Sequence, residues 1–222
     1  MPDTGPRPLQ VRDRGTVPYE DALALQEEAV LKRRAGEIPD QLFLLEHPPV
    51  ITLGTSSQEG HLLLGPDELR ARGIQLFEVG RGGDVTYHGP GQMVGYPILD
   101  LKPDRQDLHR YLRDLEEVLI RTLSAFGISG TREEGLTGVW VPEGKLAAIG
   151  VRVSSRWITS HGFALNVDPD LSQFSSIVPC GIQDRPVTSM GHLLGRRISV
   201  EEVRPALLQS FGKVFQREPV VV

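Results

Sequence analysis

One cysteine, two tryptophans and no excess of basic charge mark this 222-residue chain. A lone cysteine excludes an internal disulfide, and in a reducing cytoplasm, the compartment expected here, its thiol stays free. Lys and Arg number 24 against 29 Asp and Glu, a formal net charge of −5, which argues against a nucleic-acid binder. The longest basic run, Lys32-Arg33-Arg34, sits in a helical pattern and reads as a solvated face. No stretch approaches the ~18 apolar residues that cross a bilayer. The opening Met1 to Pro8 lacks the apolar core of a secretion leader. Neither nucleic acid nor membrane is therefore expected as a partner.

What is present is a foldable core: 39% hydrophobic and 24% charged residues, enough to bury without metals or disulfides. After a tail over residues 1–8, a single domain is expected over 9–222, with residues from about 192 onward readable as a small appendage. Alternation over Leu9 to Arg14 predicts a strand, and apolar spacing predicts a helix over Tyr19 to Ala35, stopped by Gly36. The unbroken apolar run Gln41 to His47 reads as a buried strand. Pro66 to Arg72 suits a short helix, and Gln75 to Val79 and Met93 to Leu101 suit strands. Leu108 to Phe126 is the clearest amphipathic helix, ended by Gly127. Three strand runs follow between Gly138 and Val167, and a last helix over Ser199 to Phe215 carries Ser199 and Glu202 at capping-box positions. This order predicts an α+β (α/β) class: a mixed sheet covered by helices, with the helices expected on one side.

Three segments carry residues suited to chemistry. Cys180 lies between Pro179 and Gly181, a pair that presents a side chain at a sharp turn. A nucleophilic thiol must ionise near neutral pH and needs a cation or base beside it; Lys145, His88 and His161 are the candidates. A buried inert thiol, and a Lys145 that merely reaches solvent from a strand end, are the plain alternatives. Arg81 to Gln92 (RGGDVTYHGPGQ) packs four glycines and a proline into twelve residues, so its backbone can approach a ligand closely. It is neither a Walker A loop nor a dinucleotide fingerprint. Ala147, Ala148 and Gly150 on one strand and Gly162 and Ala164 on the next leave a strip of small residues. Either a chain-like ligand or a packed helix would fit it.

Taken together, these segments resemble the lipoyl(octanoyl) transferase family over roughly residues 9 to 215. The matching stretches, in order, are LEHPPVITLG (Leu45 to Gly54), RGGDVTYHGPGQ, GYPILDL (Gly95 to Leu101), GKLAAIGVR (Gly144 to Arg152), HGFALNV (His161 to Val167) and PCGI (Pro179 to Ile182). Phe163 and Met190 depart from the family's usual leucine. The resemblance implies a fold like that of biotin- and lipoate-protein ligases. It also implies transfer of octanoyl from acyl carrier protein to a lysine of apo lipoyl domains, those of 2-oxoacid dehydrogenase complexes and the glycine cleavage H protein. Carried over by position, Cys180 would hold the acyl group as a thioester and Lys145 would lower its pKa. Acyl-substrate contacts would come from Arg81, Gly82, Gly83, Asp84, Val85, Thr86, Tyr87 and His88. Ala148, Ile149 and Gly150 would add to them, with His161, Gly162, Phe163 and Ala164. No cofactor, metal or ATP is expected, since the acyl group arrives on phosphopantetheine.

Lys145 is expected to pass a proton to the departing thiol and recover one from the attacking amine. Acidic protein partners would call for a locally basic rim, with Arg81, Arg152, Arg156 and Arg185 as candidates. Three other readings compete: a cysteine hydrolase pairing Cys180 with His88 or His161, a binding module with an inert thiol, and an ATP-dependent ligase that would need no cysteine.

Overall fold

The computed structural model describes residues 7–178 and 185–222. Eight strands form one mixed sheet. In chain order these are β1 (Arg7–Thr16), β2 (Asp40–Glu46), β6 (Gln92–Ile98), β7 (Thr131–Glu133), β8 (Leu136–Val141), β9 (Gly144–Val153), β10 (Thr159–Asn166) and β11 (Arg217–Val221). Three more, β3 (Val50–Leu53), β4 (Gln75–Glu78) and β5 (Val85–His88), form a second sheet in the order β4-β3-β5. The large sheet runs β11-β1-β2-β6-β10-β9-β8-β7. β1 lies parallel to both β2 and β11, while β2, β6, β10, β9 and β8 succeed one another antiparallel.

Helices cover both faces of this sheet, not one. On one face α1 (Tyr19–Ala35) lays Ala22 and Ala29 against Phe43, Leu45, Val94, Tyr96 and Ile98. On the other, α3 (Leu108–Ser124) and α5 (Val200–Phe215) pack Leu115, Leu119, Leu207 and Phe211 with Leu42, Leu44 and Leu165. The physical reason lies in β2. A strand with one wet face alternates, whereas DQLFLLE is buried along nearly its whole length because Leu42 and Leu44 face one layer and Phe43 and Leu45 the other. Two short helices, α2 (Pro66–Ala71) and α4 (Met190–Leu194), flank these layers.

Local chemistry sets the ends of the long helices. The Asp107 carboxylate accepts from the backbone N–H groups of His109 and Arg110, capping α3. Gly36 adopts φ 76° beyond α1 and donates to the Arg33 carbonyl, a left-handed cap that glycine enters without strain. Ser199 Oγ accepts from Glu202 N–H and starts α5. From residue 192 onward the chain contributes α5 to the main core and β11 to the main sheet edge.

Asp40, at the start of β2, ties that C-terminal strand down. It is almost fully buried and accepts from Arg217 Nε at 2.8 Å and Arg33 Nε at 2.7 Å, so β11 and α1 converge on one carboxylate. Removing one partner of a buried ion pair strands the other charge, a loss of about 3–5 kcal/mol. Asp40→Ala is expected to lower stability by that order in urea unfolding, while Lys32→Ala, which breaks an exposed pair with Glu28, should leave the midpoint nearly unchanged.

Candidate active site

A cavity of about 570 Å³ opens where the glycine-rich segment crosses β9 and β10. That size suits a small organic ligand, for which about 300–1,000 Å³ is usual. Its position follows from two close backbone approaches. Gly150 and Gly162 pair across β9 and β10; a Cβ at Gly150 would lie 2.8 Å from the Gly82 carbonyl, and one at Gly162 would overlap that of Gly95. The glycines of the strip therefore admit neighbouring backbone, Ala147 and Ala164 lie in the cores beneath α3 and α1, and Ala148 and Ala164 line the cavity itself.

Arg81 holds the glycine-rich segment in place. Its guanidinium donates to the Thr52 carbonyl at 2.7 Å and to Thr52 Oγ1 at 2.8 Å, so the second sheet braces it. Gly82 N–H donates to the Val151 carbonyl on the main sheet. Arg81, Gly82, Gly83, Asp84, Val85, Thr86 and His88 all line the cavity, as do Ile149, Gly150, His161, Gly162 and Phe163. Tyr87 is placed elsewhere: alternation along β5 turns its ring toward Ile51 and Phe174, the latter 5.4 Å away between ring centroids. Tyr19, His61, Leu112 and Trp140 join the lining although no sequence signal marks them, because each comes from a segment with no motif of its own.

Lys145, at the start of β9, is only 7% exposed. Its stem runs past Gly138, where a Cβ would lie 2.9 Å from Lys145 Cε. The ammonium sits 5.2 Å from the centre of the Trp140 ring, and the Arg185 guanidinium lies 5.5 Å from the same ring; both are cation–π distances. Lys145 N–H donates to the Pro186 carbonyl and its own carbonyl accepts from Thr188 N–H. Cys180, with Pro179, Gly181 and Ile182, lies outside the described residues. The chain before that span is fastened by Val178 N–H to the His61 carbonyl, and the chain after it by the bonds to Lys145. His61 and Lys145 both line the cavity.

The histidines divide by environment. Burial pulls the His88 imidazole down to about 3, with His47 adding to the effect. His161 falls to about 4, through burial first and then the Arg81 and Arg152 charges. His47, outside the cavity lining, falls to about 4 by burial. Gln92 donates from Nε2 to the Tyr87 carbonyl and to Asn166 Oδ1, so its Oε1 accepts from His88 Nδ1 at 3.0 Å. Asn166 in turn donates to the Thr188 carbonyl, linking His88 to the backbone beside Lys145. His161 takes φ 54° within β10, its N–H donating to Gln26 Oε1. A non-glycine residue there stores about 1–3 kcal/mol of strain. Among the described residues no group of three or more His, Cys, Asp or Glu converges as a metal site, and no helix is long and apolar enough to cross a membrane.

Residues 18–212 match the family model described as the lipoyl protein ligase A/B catalytic domain. The chain belongs to this family. It is 53% identical over 201 residues to an octanoyltransferase of Rubrobacter xylanophilus, covering 90% of each chain. Within the family it belongs to the lipoyl(octanoyl) transferases and is an acyltransferase. The bipartite lipoate protein ligase of Thermoplasma acidophilum superposes with a TM-score of 0.77 at 18% identity, covering 97% of this chain and 87% of that one. The biotin protein ligase of Aquifex aeolicus with biotin and ATP gives a TM-score of 0.57 at 14% identity, covering 93% and 70%. The expected ligase-like fold is thus the fold of this transferase.

Three histidines with lowered values make a pH signature. Their folded forms resist protons that the unfolded chain takes up near the ordinary value of 6.5. Stability is therefore present above about 6.5 and is lost as pH falls toward 4, each group contributing up to about 1.4 kcal/mol per pH unit. Urea unfolding at pH 7, 6 and 5 should show a steepening decline, and His47→Gln, outside the cavity, should flatten it.

Proposed function

We propose that this acyltransferase moves octanoyl from the phosphopantetheine arm of acyl carrier protein to a lysine of apo lipoyl domains, through a thioester on Cys180. The acceptors are the lipoyl domains of 2-oxoacid dehydrogenase complexes and the glycine cleavage H protein. The octanoyl group is supported by the name of the Rubrobacter relative, and the lipoyl acceptor by the Thermoplasma ligase described with its E2 lipoyl domain. One observation carries the mechanism: Lys145, buried in the cavity wall, is hydrogen-bonded to the chain just beyond Cys180 at Pro186 and Thr188.

An ammonium near the thiol favours the thiolate, and about 1.4 kcal/mol of such attraction lowers the thiol pKa by one. The Cys180 thiolate attacks the donor's carbonyl carbon. A new C–S bond forms, the bond to the pantetheine sulfur breaks, and that sulfur leaves with a proton from Lys145. The acceptor ammonium loses one proton to solvent and its amine attacks the enzyme thioester. The C–N bond forms, the C–S bond breaks with Cys180 departing as thiolate, and the nitrogen's second proton passes to a base at the cavity wall. Thioester exchange is nearly neutral in energy and amide formation runs downhill, so the sequence of steps needs no nucleotide. The strip at Ala148, Ile149, Phe163 and Ala164 offers apolar contact to the octanoyl chain, each buried methylene contributing about 0.8 kcal/mol.

Intact mass after incubation with octanoyl-acyl carrier protein should show a hydroxylamine-labile octanoyl adduct that Cys180→Ser loses. Lys145→Ala should slow alkylation of Cys180 by iodoacetamide at neutral pH by about tenfold or more, since raising the thiol pKa by one removes a decade of thiolate. Transfer without any adduct would replace the thioester by direct attack on the donor, and alkylation of the Lys145 variant at wild-type speed would remove Lys145 from its role.

A further inference from the structure

His61 belongs to no motif, and its ring is held in a way that its own backbone does not require. Nδ1 lies 2.5 Å from Asp84 Oδ2, and Asp84 Oδ1 accepts from Val85 N–H at 2.7 Å. A carboxylate only accepts, so Nδ1 carries the proton and the Nε2 lone pair remains. Among the described residues nothing hydrogen-bonds Nε2, and it is not sealed away from solvent. The ring is 21% exposed at the cavity wall.

The backbone places this ring at a second point of contact with the reacting segment. Val178 N–H donates to the His61 carbonyl, Leu63 N–H donates to the Ser176 carbonyl, and Leu62 bridges Ile177. Residues 61–63 thus run beside 176–178, the chain that leads to Cys180, while Lys145 pairs with 186–188, the chain that leaves it. The cavity has a proton-handling group at each of these two anchors. His88 and His161 are deeper and are held neutral by burial. His61 is the cavity imidazole whose Nδ1 is held by a carboxylate.

We propose that His61, oriented by Asp84, is the base that takes the proton from the acceptor lysine during amide formation, leaving Lys145 to serve the thiol. This rests on the thioester reading above. The acceptor ammonium first loses one proton to solvent. As its nitrogen forms the C–N bond, the second proton passes to His61 Nε2, the C–S bond breaks and the electron pair stays on the Cys180 sulfur. The imidazolium returns its proton through solvent, restoring the ammonium of Lys145 that protonated pantetheine. Asp84 is a positioning residue, holding the tautomer that exposes Nε2.

The test uses full-length octanoyl-enzyme and follows single-turnover transfer to an apo lipoyl domain and to hydroxylamine, whose weakly basic nitrogen sheds its proton to water as the C–N bond forms and needs no positioned base. In His61→Gln, transfer to the lipoyl domain should fall by about 10²-fold, at the lower end of what general bases contribute, with a far smaller loss toward hydroxylamine. Asp84→Asn should show the same split at smaller size, and added imidazole should restore part of the rate in His61→Gly. Equal slowing toward both nucleophiles, unchanged transfer to the lysine, or loss of acylation in both variants would make the pair a scaffold and overturn the proposal. Absence of an octanoyl adduct on the unaltered protein would instead overturn the thioester reading, so the two failures are distinct.

Discussion

Arg81 is the point on which the site depends. A buried guanidinium must place its donors, and here the Thr52 carbonyl and hydroxyl take three of its bonds. That clamp seats a glycine-rich turn between two sheets: Thr55 N–H donates to the Arg81 carbonyl on one side, and Gly82 N–H to Val151 on the other. A Cβ at Gly54 would overlap the Gly83 carbonyl, so the approach leaves no room for a side chain. The same charge helps keep His88 and His161 neutral. Geometry and electrostatics of the cavity therefore share one cause.

The cavity sits in a sheet that is buried on both faces, and that burial keeps the inner imidazoles out of water. α1 contributes small residues, Ala22 and Ala29, that allow its axis close to β6 and β10, and it sends Gln26 down to the His161 amide. The opposite layer, built from α3 and α5, touches the cavity only through the start of α3, at Leu108 and Leu112. Its main part is structural: it fills the other side of β9 and so fixes the strand on which Lys145 stands.

Much of the fold could be read directly. Tyr19 to Ala35 and Leu108 to Ser124 are helices because their apolar residues recur at helical spacing and a left-handed glycine or a turn follows. β9 and β10 follow from largely apolar runs set between turn residues. β3, β5 and β11 were harder, being four or five residues long and lying beside proline or glycine; only pairing with partners distant in sequence makes them strands. The expectation of one-sided cover overlooked the continuous apolar run of β2. In the site, the described residues named as acyl contacts line the cavity except Tyr87, which alternation on a strand not foreseen turns away.

The sequence by itself determined the family, the nucleophile candidate Cys180 and the cation Lys145, because those rest on residue types in local order. What tertiary structure decided was which side chains share a wall. Lys145 could have reached water from a strand end, but among the described residues the Trp140 ring and the backbone of 186–188 lie against it and it is buried. His61 could have been any loop histidine, and only the pairing of 61–63 with 176–178 and the carboxylate of Asp84 bring it to the cavity. Such contacts join segments far apart in sequence, and no local periodicity encodes them.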